Sequence, residues 1–164
     1  QFGNRFKCFK FRTMLHNCET EIHQAFVQEF IAGVVANDQN KSPNETVYKI
    51  TNDPRVTKVG RFLRNTSLDE IPQFWNVLRG EMSLVGPRPP VPYEYEIYQH
   101  WHRRRVLEMK PGVTGLWQVN GRSKVQFDDM VRLDLRYLQF WSLWLDIQIL
   151  LLTPSAVFTG KGAC

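Results

Sequence analysis

The chain has 164 residues, with 21 basic side chains against 16 acidic ones and a net charge of +5. That length can bury one real core, and the positive excess points to an acidic partner: nucleic acid, anionic lipid or a phosphorylated substrate. Cys8, Cys18 and Cys164 form no paired framework, which argues against a secreted disulfide scaffold, and no apolar run is long enough to span a bilayer.

Residues 1–14 read as a short strand with a basic side, carrying Phe6, Phe9 and Phe11 with Lys7, Lys10 and Arg12. A merely solvated strand face would look the same. From His16 to Thr46 the composition turns acidic, with Glu19, Glu21, Glu29, Asp38 and Glu45 against Lys41 alone. Ile22, Phe26 and Phe30 recur every fourth residue and predict an amphipathic helix. Residues 37–44 read as a polar loop. Cys8, His16, Cys18 and His23 match no zinc spacing, so no structural metal is expected. A short strand over 46–51 and a turn at Asp53-Pro54-Arg55 follow. Val56 to Asn65 reads as a helix with Lys58, Arg61 and Arg64 on one side and Val59, Phe62 and Leu63 on another.

Ser67-Leu68-Asp69-Glu70-Ile71-Pro72-Gln73 is the most informative stretch. Ser67 with Glu70 three residues on is a capping-box pattern, and Pro72 is tolerated near a helix start. One helix is predicted from about Leu68 to Arg79, with Asp69 and Glu70 in its first turn, where the dipole favours ionised acids. Arg55, Arg61 and Arg64 precede the pair and Arg79 and Arg88 follow it. Ionised carboxylates among arginines suit a metal ion, a phosphate or both, although acids decorate many ordinary helix starts. Ile71, Phe74, Trp75 and Leu78 would give that helix an apolar face, for the core or for something greasy.

Met82 to Val85 is a brief apolar segment, and Gly86-Pro87-Arg88-Pro89-Pro90 a rigid turn that preorganises Arg88 for an anion. Tyr93 to Met109 is predicted to be helical. Its Tyr93, Tyr95, Tyr98 and Trp101 beside His102 and Arg103 to Arg105 suit a membrane interface, or stacking on single-stranded nucleic acid. Lys110-Pro111-Gly112 breaks that helix, 113–119 is apolar, and Asn120-Gly121-Arg122 is a turn. Phe127 to Thr153 reads as one long helix or two, with Asp134 among apolar residues and Trp141 and Trp144 as interfacial anchors. Pro154 is expected to kink or end it.

Several of these segments together resemble the catalytic domain of the bacterial sugar transferases, the monotopic polyprenyl-phosphate phosphoglycosyl transferases. They are Lys10-Phe11-Arg12-Thr13-Met14, Asp53 to Gly60, Ser67 to Gln73, Met82 to Pro89, Lys110 to Gly115, and Gln118 to Arg122 with the Asp134 to Asp146 stretch. They stand in the family's order over nearly the whole chain.

The resemblance implies an α+β fold: a mostly helical single domain over 1–164, with a few short strands and amphipathic helices at a membrane interface. It implies transfer of a sugar phosphate from a nucleotide diphosphate sugar, usually a UDP-sugar, to polyprenyl phosphate, opening exopolysaccharide or O-antigen assembly. By that likeness Asp69 is the nucleophile that forms a covalent phosphosugar intermediate. Glu70 helps bind Mg2+, Lys10, Arg88 and Arg122 hold phosphates, and Asp134 positions basic groups or metal. The setting implied is the cytoplasmic face of the bacterial inner membrane, on an anionic surface, with no nucleic acid as partner. Family members carry a re-entrant membrane helix ahead of the point where these residues start, and they vary over the segment matching 16–46. The alternatives from other classes are a nucleic-acid-binding module using Tyr98, Trp101 and Arg103 to Arg105, and a Mg2+-dependent phosphodiesterase using the same acids.

Overall fold

A computed structural model describes residues 3–16, 21–33, 53–121 and 125–158. Its helices are α1 (Glu21–Ile31), α2 (Lys58–Asn65), α3 (Gln73–Leu78), α4 (Pro92–Glu96), α5 (His100–Leu107), α6 (Leu116–Asn120), α7 (Phe127–Gln139) and α8 (Leu143–Phe158). The strands β1 (Ser83–Val85) and β2 (Gly112–Thr114) complete the mostly helical α+β arrangement that the sequence implied. The loop at 37–44, the strand at 46–51 and Arg122 lie outside the described residues.

β1 and β2 run parallel, with Ser83 opposite Gly112 and Val85 opposite Thr114. Beyond the pair, the Gly86 N–H donates to the Thr114 carbonyl at 2.9 Å, and the Gly112 N–H donates to that of Pro87 at 2.9 Å. The two backbones touch at the glycines: a Cβ on Gly112 would stand 2.1 Å from the Gly86 nitrogen. This contact clamps the Pro87-Arg88-Pro89 turn onto β2, so Arg88 is carried by a fixed backbone.

The core lies between α5 and α7, where Tyr98, Phe127, Met130 and Val131 pack together. A second cluster of Val85, Tyr137 and Ile149 joins β1, α7 and α8. Here the structure corrects the reading of residues 93–109. They form two helices, and their aromatic and basic residues do not all lie on one surface: Arg103 lies over the Tyr95 ring at 5.3 Å, while another set turns inward. Tyr98, His102 and Arg105 recur at the spacing of one helical stripe, and that stripe faces inward. Arg105 donates to Asp134 Oδ2 and to the Tyr98 hydroxyl, each at 2.7 Å, while its guanidinium lies over the Tyr98 and Phe127 rings. Arg104, one residue away, is exposed and pairs with Glu108 at 2.7 Å. A nucleic-acid surface built on Tyr98 and Arg105 is thereby excluded, because both are spent in the core.

His102 is fully buried and neutral by its partners: Nδ1 accepts from the Gln99 N–H at 3.2 Å, which leaves Nε2–H to donate to Asp128 at 3.1 Å. Burial holds its pKa below the ordinary histidine value, with Asp128 pulling the other way. The unfolded chain therefore takes up the proton more readily, so this contribution is intact above about pH 6.5 and is lost as pH falls from there through the lower folded value. We expect the melting temperature to drop on acidification, and less steeply in His102→Phe. Calorimetry across the pH series checks it, and an identical slope in the variant would refute the assignment.

A further expectation changes. Residues 68–79 do not form one capped helix. Leu68–Glu70 is a single 3-10 turn, Ser67 takes a left-handed backbone with φ +55° and makes no side-chain cap, and α3 begins only after Pro72. Proline explains it. Pro72 has no N–H for the Leu68 carbonyl, which instead accepts from the Ile71 N–H at 3.2 Å, so the tighter turn closes and the helix restarts. Pro154, by contrast, neither ends α8 nor stands outside it.

Candidate active site

Asp69 sits in the middle of the 3-10 turn and is only 3% exposed. The Lys10 ammonium reaches it from the far end of the sequence, 2.9 Å from Asp69 Oδ2 and 3.2 Å from Glu70 Oε1. One cation thus bridges the adjacent acids that the sequence singled out, and its charge offsets the repulsion between them.

Lys10 is held there by the backbone around it. Over the described residues 3–14 no strand forms as predicted; the backbone there is irregular, with an antiparallel bridge between Met14 and Val56. Its N–H groups go to the site. Phe9 donates to Asn76 Oδ1 at 3.0 Å, and Phe11 donates to the Asp69 carbonyl at 3.0 Å. The residues on both sides of Lys10 are therefore pinned.

Asn76 in α3 was not singled out by sequence reading, yet it is the strap. It is wholly buried, and its amide nitrogen donates to the Lys7 carbonyl at 2.8 Å and to Glu81 Oε2 at 2.6 Å. An asparagine in a short helix gives no sequence signal, because its partners lie far along the chain. Asn76→Ala strands the Phe9 donor and the Lys7 acceptor, and we expect a loss of about 2–3 kcal/mol in stability. Chemical denaturation checks the cost; a loss below about 0.5 kcal/mol would show that the strap is dispensable.

α2 docks against the same segment. The Thr57 hydroxyl caps α2 by accepting from the Gly60 N–H at 2.9 Å, the Thr57 N–H donates to the Thr13 carbonyl at 3.1 Å, and Arg64 Nε donates to the Thr13 hydroxyl at 2.9 Å. Gly60 allows this approach: a Cβ there would lie 2.0 Å from the Thr13 carbonyl oxygen. The basic side of α2 thus meets the Lys10 segment at Arg64. Arg55 makes a bidentate pair with Asp53, Nε to Oδ1 at 2.9 Å and one terminal nitrogen to Oδ2 at 2.7 Å, and that hydrogen bonding holds the Asp53 carboxyl below its usual value. Of the arginines grouped around the acids in sequence, Arg55 is therefore tied to its own carboxylate.

Arg88 is exposed on its clamped turn. Partial burial pushes the Cys8 thiol up, and the Lys10, Glu70 and Arg88 charges act on it from a distance, as the Arg88 charge also does on His23 and Tyr93. Among the described residues no ion pair joins Arg88 to Asp69 or Glu70. Asp134 stands elsewhere in the packing, only 1% exposed, between α5 and α7 and committed to Arg105. It orders a basic group, but that group is part of the core. Among the described residues no group of three or more His, Cys, Asp or Glu side chains gathers into a metal cage.

The apolar residues nearest the acids face outward. Ile71, Phe74 and Trp75 are about half exposed and Leu78 is 79% exposed, as are Val59 and Phe62 on α2 at more than half. The face predicted as core or as a contact for something greasy is not core. Among the described residues no helix is long and apolar enough to cross a membrane.

Known proteins resemble this chain over nearly its whole length. The chain is 45% identical over 162 residues to the galactosyl transferase CpsE of Streptococcus agalactiae, covering 98% of this chain and 33% of the relative. It is 47% identical over 162 residues to the undecaprenyl-phosphate galactose phosphotransferase of Salmonella typhimurium, with 98% and 32% covered. It is 44% identical over 161 residues to the exopolysaccharide production protein ExoY of Sinorhizobium fredii, with 98% and 67% covered. The chain spans about a third of the length of the first two. With residues 1–160 matching the family described as bacterial sugar transferase, the chain belongs to that family.

Proposed function

We propose that this chain carries the catalytic site of an enzyme that moves a sugar phosphate from a UDP-sugar to undecaprenyl phosphate. The observation that supports it most directly is the buried Asp69 carboxylate held 2.9 Å from Lys10, with Glu70 on the same ammonium. The relatives support the substrates: one is named for undecaprenyl phosphate and galactose, and another, from Escherichia coli and 49% identical over 119 residues, for UDP-glucose and undecaprenyl phosphate.

In this reading an Asp69 oxygen attacks the β-phosphorus of the donor, the bond to UMP breaks, and UMP leaves with its electron pair. An oxygen of the lipid phosphate then attacks the same phosphorus, the aspartyl–phosphate bond breaks, and the carboxylate is regenerated. Lys10 holds Asp69 aimed before donor arrives. Lys10 and Arg88 oppose the charge that builds on the phosphoryl oxygens. Arg122 belongs with them by sequence.

Mg2+ fits the donor set. Glu70 and Asp69 offer hard oxygen ligands side by side, and this ion typically takes one or two carboxylates and completes its shell with substrate phosphates and water. When bound it would neutralise diphosphate charge. Glu70, about one-third exposed, is the ligand best placed to meet it.

The exposed apolar side chains on α2 and α3, beside the acids, support seating on an anionic membrane such as the cytoplasmic face of the bacterial inner membrane, where a lipid phosphate is presented. The test is a panel of radiolabelled UDP-sugars with undecaprenyl phosphate in membranes, read by lipid extraction. Label in the lipid phase is expected for at least one donor. Release of sugar phosphate to water alone would favour a phosphodiesterase and overturn the transferase.

A further inference from the structure

On the outer side of α5 and α7 lies an open groove of about 560 Å3, lined by Trp101, Arg132, Leu135, Arg136, Gln139 and Phe140. None of these side chains takes part in the Lys10–Asp69–Glu70 cluster or in the chemistry proposed for it. The lining combines two cations with an apolar floor. Arg132 and Arg136 stand one turn apart on α7. Arg132 is paired at the rim with exposed Asp129 at 2.9 Å, while Arg136 has no ion pair among the described residues. Trp101 spends its indole N–H on Gln99 within its own chain turn, at 2.9 Å, so it brings the groove a ring surface rather than a donor.

Phe140, at the end of the lining, is 61% exposed, and it is followed directly in sequence by Trp141, Leu143 and Trp144, each more than half exposed at the corner where α7 gives way to α8. Trp141 donates its N–H to Asp146 at 3.2 Å, and Tyr137 donates its hydroxyl to the same carboxylate at 2.5 Å. The corner is therefore fixed, with its rings outward. A cationic pair that runs directly into a band of tryptophan and phenylalanine has the polarity of a lipid at the bilayer boundary: phosphate at one end, hydrocarbon at the other.

We propose that this groove binds the phosphodiester headgroup of an anionic phospholipid, with Arg136 and Arg132 on the phosphate and the acyl chains leaving over Phe140, Trp141 and Trp144. Charge complementarity selects the headgroup, and continuity with the aromatic corner selects a lipid over a soluble phosphate. The groove would give the protein a second hold on the membrane, apart from the reacting lipid phosphate. It rests on the membrane seating proposed above and adds a located site to it.

Flotation with phosphatidylcholine vesicles, with and without phosphatidylglycerol, tests the groove. The wild-type protein is expected to bind the phosphatidylglycerol vesicles more tightly. Arg136→Gln should weaken that binding and R132Q/R136Q should weaken it by roughly tenfold or more, a small figure for two arginines at an anionic surface. Binding to pure phosphatidylcholine should not change. R5Q/R104Q, which removes the same charge elsewhere, should lose markedly less. Equal losses in the two double variants would mean diffuse attraction and overturn the groove. Displacement of the vesicles by millimolar inorganic phosphate would mean a simple anion site, and would overturn it too. A wild type that binds neither vesicle overturns the membrane seating as well, whereas a wild type that binds while R132Q/R136Q keeps its full preference overturns the groove alone.

Discussion

Asp69→Asn is expected to abolish lipid-linked product, lowering turnover by about 10^3-fold or more, as loss of a nucleophile does. The change is nearly isosteric, so the fold should survive. The substituted amide would keep a carbonyl oxygen near Lys10 but lose the charge needed to attack phosphorus. Stability is therefore expected to shift far less than rate. Two measurements separate the roles. UMP release from a UDP-sugar without acceptor should vanish in the variant, and intact-protein mass spectrometry of the wild type with donor alone should show a sugar phosphate added. Full activity in Asp69→Asn would sink the nucleophile. Transfer that needs Asp69 yet never yields the adduct, even on rapid quenching, would point to direct attack by the lipid phosphate. Glu70→Gln separates the neighbours: loss of activity that excess Mg2+ partly restores fits a metal ligand, and unchanged Mg2+ dependence does not.

The largest stability effect is expected at Asp134. Asp134→Leu leaves the Arg105 guanidinium, 2% exposed, without its carboxylate and should cost about 3–5 kcal/mol. Replacing both, as Asp134→Leu with Arg105→Met, should recover much of that, because the pair is costly to bury as well as costly to break. Equilibrium denaturation of both singles and the double completes the cycle. Losses that simply add would show that the two side chains act independently. The pH dependence has its own sign. Burial raises the Asp134 carboxyl to about 6, with the Arg105 charge and hydrogen bond pulling down. A raised folded value means that the native state keeps this proton longer than the unfolded chain. Its contribution is therefore complete below the usual carboxylate range and falls away as pH rises through about 6, opposite to that of His102. Activity measurements on Asp134 variants need correcting for folded fraction, since a collapsed core would imitate a catalytic loss.

Local sequence carried the chemistry here and misplaced some of its surroundings. The adjacent acids and the proline-flanked arginine are short patterns of residue type that stand out without a fold, whereas Lys10 came forward only through the family resemblance. Helical periodicity likewise placed α1, α2, α7 and α8, because a stripe of apolar residues every three or four positions has one physical explanation. Ser67 looked like a cap because spacing alone cannot show that Pro72 denies Leu68 its helical donor. The run from Tyr98 to Arg105 looked like a surface because linear proximity says nothing about which way each side chain points. Only the helix geometry, with α7 packed against one stripe, turns Arg105 inward to Asp134 and leaves Arg104 outside. The sequence by itself determined the family and the acids Asp69 and Glu70. The tertiary structure alone decided that Lys10 stands between them, because a contact across 60 positions depends on Asn76, Thr13 and Gly60 drawing distant backbone together. No local preference encodes that approach; it follows from where buried donors and acceptors find their partners.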